Sequence, residues 1–290
     1  MLLGLQIVSG LVSAAILFLL ASGLSLIFGV CGVLQLAHGA FFMLAAYLAY
    51  SGTLLLADTG MGFWLTLLIV PFLLAGIGAL MEVALFRKIY HADHLVQLLP
   101  TIAITFIVAD VIRFIWGLES KTVPFPSGLP GAISIFDVTF PSYYAVIVIA
   151  GVLIALALWL LVYRTRWGTL VRAIAQDRDM SAALGINETA IYTGVFALAA
   201  WLAGMAGVLS APLSGAALGS DLDAIIDAFV VVVVGGLGSI PGALLAAVLI
   251  GMVRSFGILV IPQFAMAFVF LLMALVLIVR PTGLFGRKRT

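Results

Sequence analysis

Between Met1 and Ala57 the chain contains no Asp, Glu, Lys or Arg. At about 1.5 Å of rise per residue, a helix of that length crosses a roughly 30 Å hydrocarbon core twice. Further charge-free runs cover 59–81, 138–163, 189–220, 228–253 and 255–279, each long enough for one span. The 94–109 run is shorter and holds Pro100; it is expected to span as 94–116, with Asp110 and Arg113 near one end. Charged residues make up 9% of the 290 residues, against about 25% in a soluble domain. This excludes a water-soluble globular fold. A net charge of +1 gives no case for nucleic acid, and the natural surroundings are membrane lipid. Cys31 is the only cysteine, so it has no internal disulfide partner and reads as a small packing residue. The N-terminus lacks a basic region and cleavage site, so the first helix reads as retained. The expected fold is an all-α integral membrane protein, one polytopic helical bundle over 1–290 with some helices broken.

Charge also sets the orientation. Cytoplasmic loops are enriched in Lys and Arg. Placing Arg164, Arg166, Arg172 and Arg178 inside, together with Arg280, Arg287, Lys288 and Arg289, puts Arg87 and Lys88 inside as well. The N-terminus is then outside, and ten basic residues fall inside against three outside. An even number of crossings must separate 178 from 280, yet three apolar runs lie there. One of them must return to the side it came from. The candidate is 228–253, interrupted by Gly235-Gly236-Leu237-Gly238-Ser239-Ile240-Pro241-Gly242. Four glycines and a proline weaken a helix heavily. The run is expected to form a hairpin of short helices or a re-entrant loop, with a plain kinked helix as the alternative. Irregular backbone at membrane depth faces protein or a watery cavity. A second interruption runs from Gly29 to Gly39. Paired breaks of this kind point to a transport pathway, and its candidate residues are Gln35, His38, Gly235, Gly236, Gly238, Ser239 and Pro241. For His38 the alternative is a packing hydrogen bond between helices.

The polar stretch 164–188 is the most informative. Trp167, Leu170, Val171 and Ile174 recur at helical spacing and give an amphipathic helix along the cytoplasmic interface. Asp177-Arg178-Asp179 breaks it. Asp179 is expected to cap a short helix, Met180 to Leu184, that stops at Gly185, and Asn187 to cap the next span. A short capped helix between two spans suits docking of a soluble partner, the alternative being a solvated turn. The candidate docking residues are Asp177, Arg178, Asp179, Met180, Ala182, Ala183, Leu184 and Gly185. Glu82 with Arg87 and Lys88, and Asp110 with Arg113, read as local ion pairs. Asp221, Asp223 and Asp227 are expected to cap and solvate the outer end of the broken segment. His91 and His94 flank Asp93 with no third metal ligand in evidence. There is no His-Glu-x-x-His motif, Gly-x-Ser-x-Gly elbow or P-loop. No catalytic, metal or cofactor residue is assigned, and any ATP hydrolysis must come from another chain.

Four blocks carry a family resemblance: Leu36-Ala37-His38-Gly39; Arg166-Trp167-Gly168 through Arg172-Ala173 to Leu184-Gly185-Ile186-Asn187; Gly235 through Pro241 to Ala243; and Arg280-Pro281-Thr282-Gly283-Leu284-Phe285-Gly286. In this order and in an apolar chain of this length, they resemble the LivH-type permease subunit of ABC importers for branched-chain amino acids and related solutes. The resemblance implies a single permease domain in the bacterial inner membrane, similar to other type II importers. It further implies a second, LivM-like permease chain, two LivG/LivF-like ATPase subunits that hold ATP and Mg, and a solute-binding protein outside. It places Asp179–Gly185 in the family's coupling region against an ATPase. Many relatives read Asn-Phe-Ala-His-Gly where this chain has Gln35-Leu36-Ala37-His38-Gly39, and an acidic residue sometimes found after that glycine is Ala40 here. The solute is left open among amino acids, amides, urea and aromatic acids. The competing classes are a lone secondary carrier or channel, and a membrane enzyme. The first usually buries a carboxylate near the midplane, and no acidic residue lies well inside a span; the second lacks its reactive groups.

Overall fold

In lipid a backbone N–H or C=O finds no water, so a chain this apolar must satisfy its backbone within helices. A computed structural model describes residues 2–90, 92–135 and 138–286. His91 and the basic residues Arg287, Lys288 and Arg289 lie outside the described residues. The helices are α1 (Leu2–Cys31), α2 (Ala37–Leu55), α3 (Gly62–Ala84), α4 (His94–Trp116), α5 (Ser142–Arg164), α6 (Arg166–Gln176), α7 (Arg178–Ala183), α8 (Glu188–Ser214), α9 (Ser220–Gly235), α10 (Ile240–Val260) and α11 (Ala265–Val279). Eight helical segments among the described residues are long and apolar enough to cross a membrane. The protein is an all-α polytopic bundle of eight membrane-spanning helices, five of them before Arg164, as the charge-free runs require.

Helices α1 and α8 are the most enclosed, and α4, α5 and α11 lie at the periphery. Lipid gives helices no hydrophobic reason to associate, so close packing of small residues has to hold them. Helix α8 shows how. A Cβ at Gly207 would lie 2.3 Å from the Phe42 carbonyl of α2, and one at Gly204 would lie 2.9 Å from Cα of Pro71 in α3. Helices α1 and α10 cross in the same manner, with Gly251 against the Gly10 carbonyl. Tyr143 at the start of α5 donates to the Leu209 carbonyl of α8 at 2.8 Å, in the turn before the in-helix Pro212.

The break in the 228–253 run is where the glycines put it, and its two arms form a returning hairpin tied by Arg254 and Asp227 at 2.7 Å. The arms are longer than expected. Helix α9 starts at Ser220, so Asp221 and Asp223 lie in its first turn; Asp223 is exposed, whereas Asp221 is buried and Asp227, in the second turn, is half-buried. Helix α10 is itself a full span of 21 residues. The 255–279 run is not one helix. It is divided by a turn at 261–264, where Pro262 supplies no N–H to continue α10. That turn holds Gln263 but no charge, which hides it from a charge-based reading.

Among the described residues one pair of strands stands apart from the helices: β1 (Ala132–Ile135) and β2 (Val138–Pro141) are antiparallel, with Ala132 opposite Pro141. Ile133 and Phe140 are paired across it, and Phe140 is buried. The pair belongs to an excursion that lies over one end of the bundle. There Lys121 and Ala216 exchange backbone hydrogen bonds at 2.8 Å and Ser127 reaches the Gly60 carbonyl at 2.6 Å.

Candidate functional site

The 164–188 stretch folds as two helices wedged against the ends of the spans. Thr165 caps α6 by accepting from Gly168 N–H at 3.0 Å, and its own hydroxyl donates to the Leu161 carbonyl at 2.6 Å. Helix α6 then crosses the end of α5 so closely that a Cβ at Gly168 would fall 2.2 Å from the Val162 carbonyl. Val171 and Ile174 are buried and Trp167 packs on Gly194 of α8, so the apolar stripe faces protein as its spacing implies. Arg172 lies off that stripe. It donates to the Val162 carbonyl and stacks on Tyr163, at 5.3 Å from the ring centre, satisfying a free carbonyl at the end of α5.

Helix α7 is fixed at both ends. Its cap is Asp177, not Asp179. Asp177 has extended backbone angles and accepts from Met180 N–H at 2.9 Å. Arg178 is already helical, which moves the cap two residues upstream and leaves Asp179 in the first turn, where its charge suits the helix N-terminus. Gly185 ends the helix with φ +80°, its N–H on the Ala182 carbonyl and that of Ile186 on the Ser181 carbonyl. Ser181 is buried and donates to the Asp177 carbonyl at 2.7 Å, so it faces the protein. Ala182 and Ala183 are exposed, as are Met180 and Leu184 at 58% and 75%. Asn187 caps α8 by accepting from Ala190 N–H. Beside α7 lies an open groove of about 540 Å³, lined by Arg178, Asp179, Ala182, Ile186, Asn187 and Glu188 among others. Arg178 is held there by Glu188 at 2.7 Å. Its burial works against the charge, but the Glu188 hydrogen bond and neighbouring negative groups outweigh that and keep its pKa above the ordinary value.

The two glycine breaks meet. Gly238 of the hairpin turn lies against Gly29, in the last turn of α1. Gln35 is buried, and His38 lies apart from that contact. His38 is fully enclosed, and its Nε2–H donates to the Leu20 carbonyl at 2.9 Å, about 13 Å of helix away from Gly29. Its Nδ1 and the buried Gln35 Oε1 have no protein partner. Ser239 caps α10 by accepting from Gly242 N–H at 3.1 Å, with Pro241 in the first turn. Gly235 and Gly242 are in backbone contact across the turn.

One cluster escaped the sequence reading in part. Glu82, with 0% exposure, pairs with Arg87 at 3.2 Å as its spacing suggests. It also accepts from Tyr90 Oη at 3.2 Å and Thr193 Oγ1 at 2.5 Å. The Thr193 contact spans more than a hundred residues of sequence, and no local pattern announces it.

Residues 6–279 match the family described as the permease component of branched-chain amino acid transport systems. The chain belongs to that family. It is 31% identical to the high-affinity branched-chain amino acid transport system permease protein BraD of Pseudomonas aeruginosa, over 97% of this chain and 95% of the relative. It is 27% identical to the LivH permease protein of Escherichia coli K12, with the same coverage. It is 28% identical to the LivM permease protein of Salmonella typhimurium, over 94% of this chain and 68% of that one. No solved structure matches. Within this permease, the motif blocks have physical roles. Gly168 allows α6 to cross α5. Gly185 stops α7. In the last block, Leu284 and Phe285 donate their N–H groups to the Val234 and Gly235 carbonyls at 2.8 and 3.0 Å, closing the open end of α9.

Proposed function

We propose that this chain is the transmembrane subunit of an ATP-driven importer, moving branched-chain or related amino acids, or similar small polar solutes, into the cytoplasm. The observation that carries this reading is α7. It is capped at both ends, set between two spans, and presents the apolar pair Met180 and Leu184 outward. A span-to-span turn needs no such surface, whereas a soluble ATPase does. On this reading Asp177, Arg178, Asp179, Met180, Ala182, Ala183, Leu184 and Gly185 form the coupling segment. The partners are a LivM-like permease, two ATPase subunits supplying ATP and Mg, and a solute-binding protein. The glycine contact of Gly29 and Gly238 is the flexible point of the translocation pathway. A stand-alone carrier or channel is the competing reading. The test is uptake in vesicles holding either the permease alone or the permease with its co-purifying partners. Uptake is expected only with the partners and ATP. Uptake by this chain alone, driven by an ion gradient, would overturn the proposal.

The reading also sets an orientation, with the N-terminus outside and the C-terminus in the cytoplasm. The hairpin of α9 and α10 supports it: with the 16-residue α9 counted as a crossing beside the eight longer spans, the chain returns to the side it left and the crossings after Arg178 are even. Reporter fusions at residues 1 and 290 are expected to give opposite signals. A cytoplasmic signal from residue 1 would reverse the assignment.

A further inference from the structure

Glu82 is a carboxylate shut away from solvent at the end of α3, and neither the docking surface nor the glycine breaks account for it. Its two oxygens are held from two directions. Oε1 accepts from Tyr90, in the turn that follows α3. Oε2 accepts from Arg87, and from Thr193 in the second turn of α8. Arg87 also donates to Thr193 at 3.0 Å, closing a ring of three groups. The contacts continue outward. The Tyr90 ring packs on Tyr192 with centres 4.8 Å apart, and the Arg178 guanidinium sits 5.5 Å above the Tyr192 ring. Arg178 is the first residue of α7 and is tied to Glu188, the first of α8. On the far side, the Gln97 amide of α4 holds the carbonyls of Tyr90 and Ala92 at 3.2 and 2.9 Å.

We propose that the line Arg178, Tyr192, Tyr90 and Glu82 transmits displacement of α7 to α3 and α4, with Tyr90, Tyr192 and Glu82 acting as positioning residues. A buried carboxylate cannot exchange its donors for water, so α8 and the end of α3 move together or the charged contacts break. The tilted rings of Tyr90 and Tyr192 bear on one another in the same way, because packed interfaces shift between discrete arrangements and do not deform smoothly. A displacement at Arg178 therefore has a continuous physical route to two spans beyond α8. A route of contacts becomes a coupling only when energetic dependence is measured along it.

The inference rests on the reading of α7 as an ATPase docking helix. The experiment uses the assembled complex in vesicles and measures solute moved per ATP hydrolysed, ATPase co-purification and permease abundance. The variants are Tyr192→Leu, which removes the ring packed on Tyr90, Tyr90→Phe, which removes one hydroxyl and keeps the ring, and Glu82→Gln. Tyr192→Leu and Glu82→Gln are each expected to leave the ATPases bound and to lower solute moved per ATP at least about fivefold. Tyr90→Phe is expected to lower it about twofold. Tyr192→Leu and Glu82→Gln combined should be no worse than either alone, because both cut one line. A merely structural cluster would lower abundance, bound ATPase and uptake together and leave the ratio unchanged, which overturns the proposal. An unchanged ratio in Tyr192→Leu and Tyr90→Phe with normal abundance overturns it equally, whatever the fate of Glu82→Gln. If complexes form without α7, the docking reading fails instead, and that is seen separately in ATPase retention after substitution on α7.

Discussion

Replacing Gly236 by Leu is expected to reduce uptake in membrane vesicles to background, at least about a tenfold loss, with a fall in permease abundance. Gly236 has φ +99° with ψ 125°, a sparsely populated conformation that costs a side-chain-bearing residue about 1–3 kcal/mol. The larger cost is steric. A Cβ there would lie 2.3 Å from the backbone nitrogen of Gly286 and 2.7 Å from its Cα. Backbone cannot rotate away as a side chain can, so the segment around Gly286 would have to leave. With it would go the hydrogen bonds from Leu284 and Phe285 to the end of α9. Carbonyls left without partners among packed helices cost about 1–3 kcal/mol each. The control is Gly76→Leu. A Cβ at Gly76, on α3, would meet nothing within 4 Å, so uptake is expected to stay within about twofold of the parent. Equal uptake and abundance in both variants would show that the turn does not need its glycines.

Exchanging Ala183 for Arg has the opposite signature: normal abundance and lost function. Ala183 is exposed near the end of α7, and Arg is almost as good a helix former as Ala, so folding is expected to change by no more than about 0.5 kcal/mol. If α7 seats in a groove on an ATPase, a long charged side chain beside Met180 and Leu184 must be desolvated without a partner as the surfaces close. ATPase co-purification and ATP-driven uptake should both drop at least about tenfold. If both persist at parental levels in a normally inserted permease, the docking surface lies elsewhere on the chain.

These two positions also show how far a reading of the residues alone could go. The hairpin break was legible because glycine and proline act locally, and so was the stop at Gly185, which needs only the left-handed conformation. The cap of α7 was misplaced by two residues. Asp177 and Asp179 are chemically equal candidates, and only the backbone angles of Asp177 separate them. Ser181 is as small as its exposed neighbours Ala182 and Ala183, yet it faces inward, and a six-residue helix lacks enough sequence to reveal its buried side. Span positions followed charge until charge stopped varying. Only Pro262 and Gln263 mark a turn at 261–264 in the 255–279 run. Thr193 and Tyr192 could not be linked to Glu82 and Tyr90, because those contacts are made by helix packing over long separations. Gln35 and His38 are legible as polar groups within the membrane, but the separation of His38 from the Gly29 and Gly238 contact is set by how the chain climbs back along α1 after Cys31.

The closure of α9 by Leu284 and Phe285 has a consequence for how the permease is made. The carbonyls of Val234 and Gly235 leave the ribosome about 50 residues before the N–H groups that will bond them, a delay on the order of seconds at roughly 5–20 residues per second. In that interval α10 and α11 are synthesised while the end of α9 has no partner. The hairpin therefore enters the bilayer unfinished, and the insertion machinery or water has to hold its open end until the 280–286 segment arrives. A pause in translation between α9 and that segment lengthens the interval in which those carbonyls lack their partners.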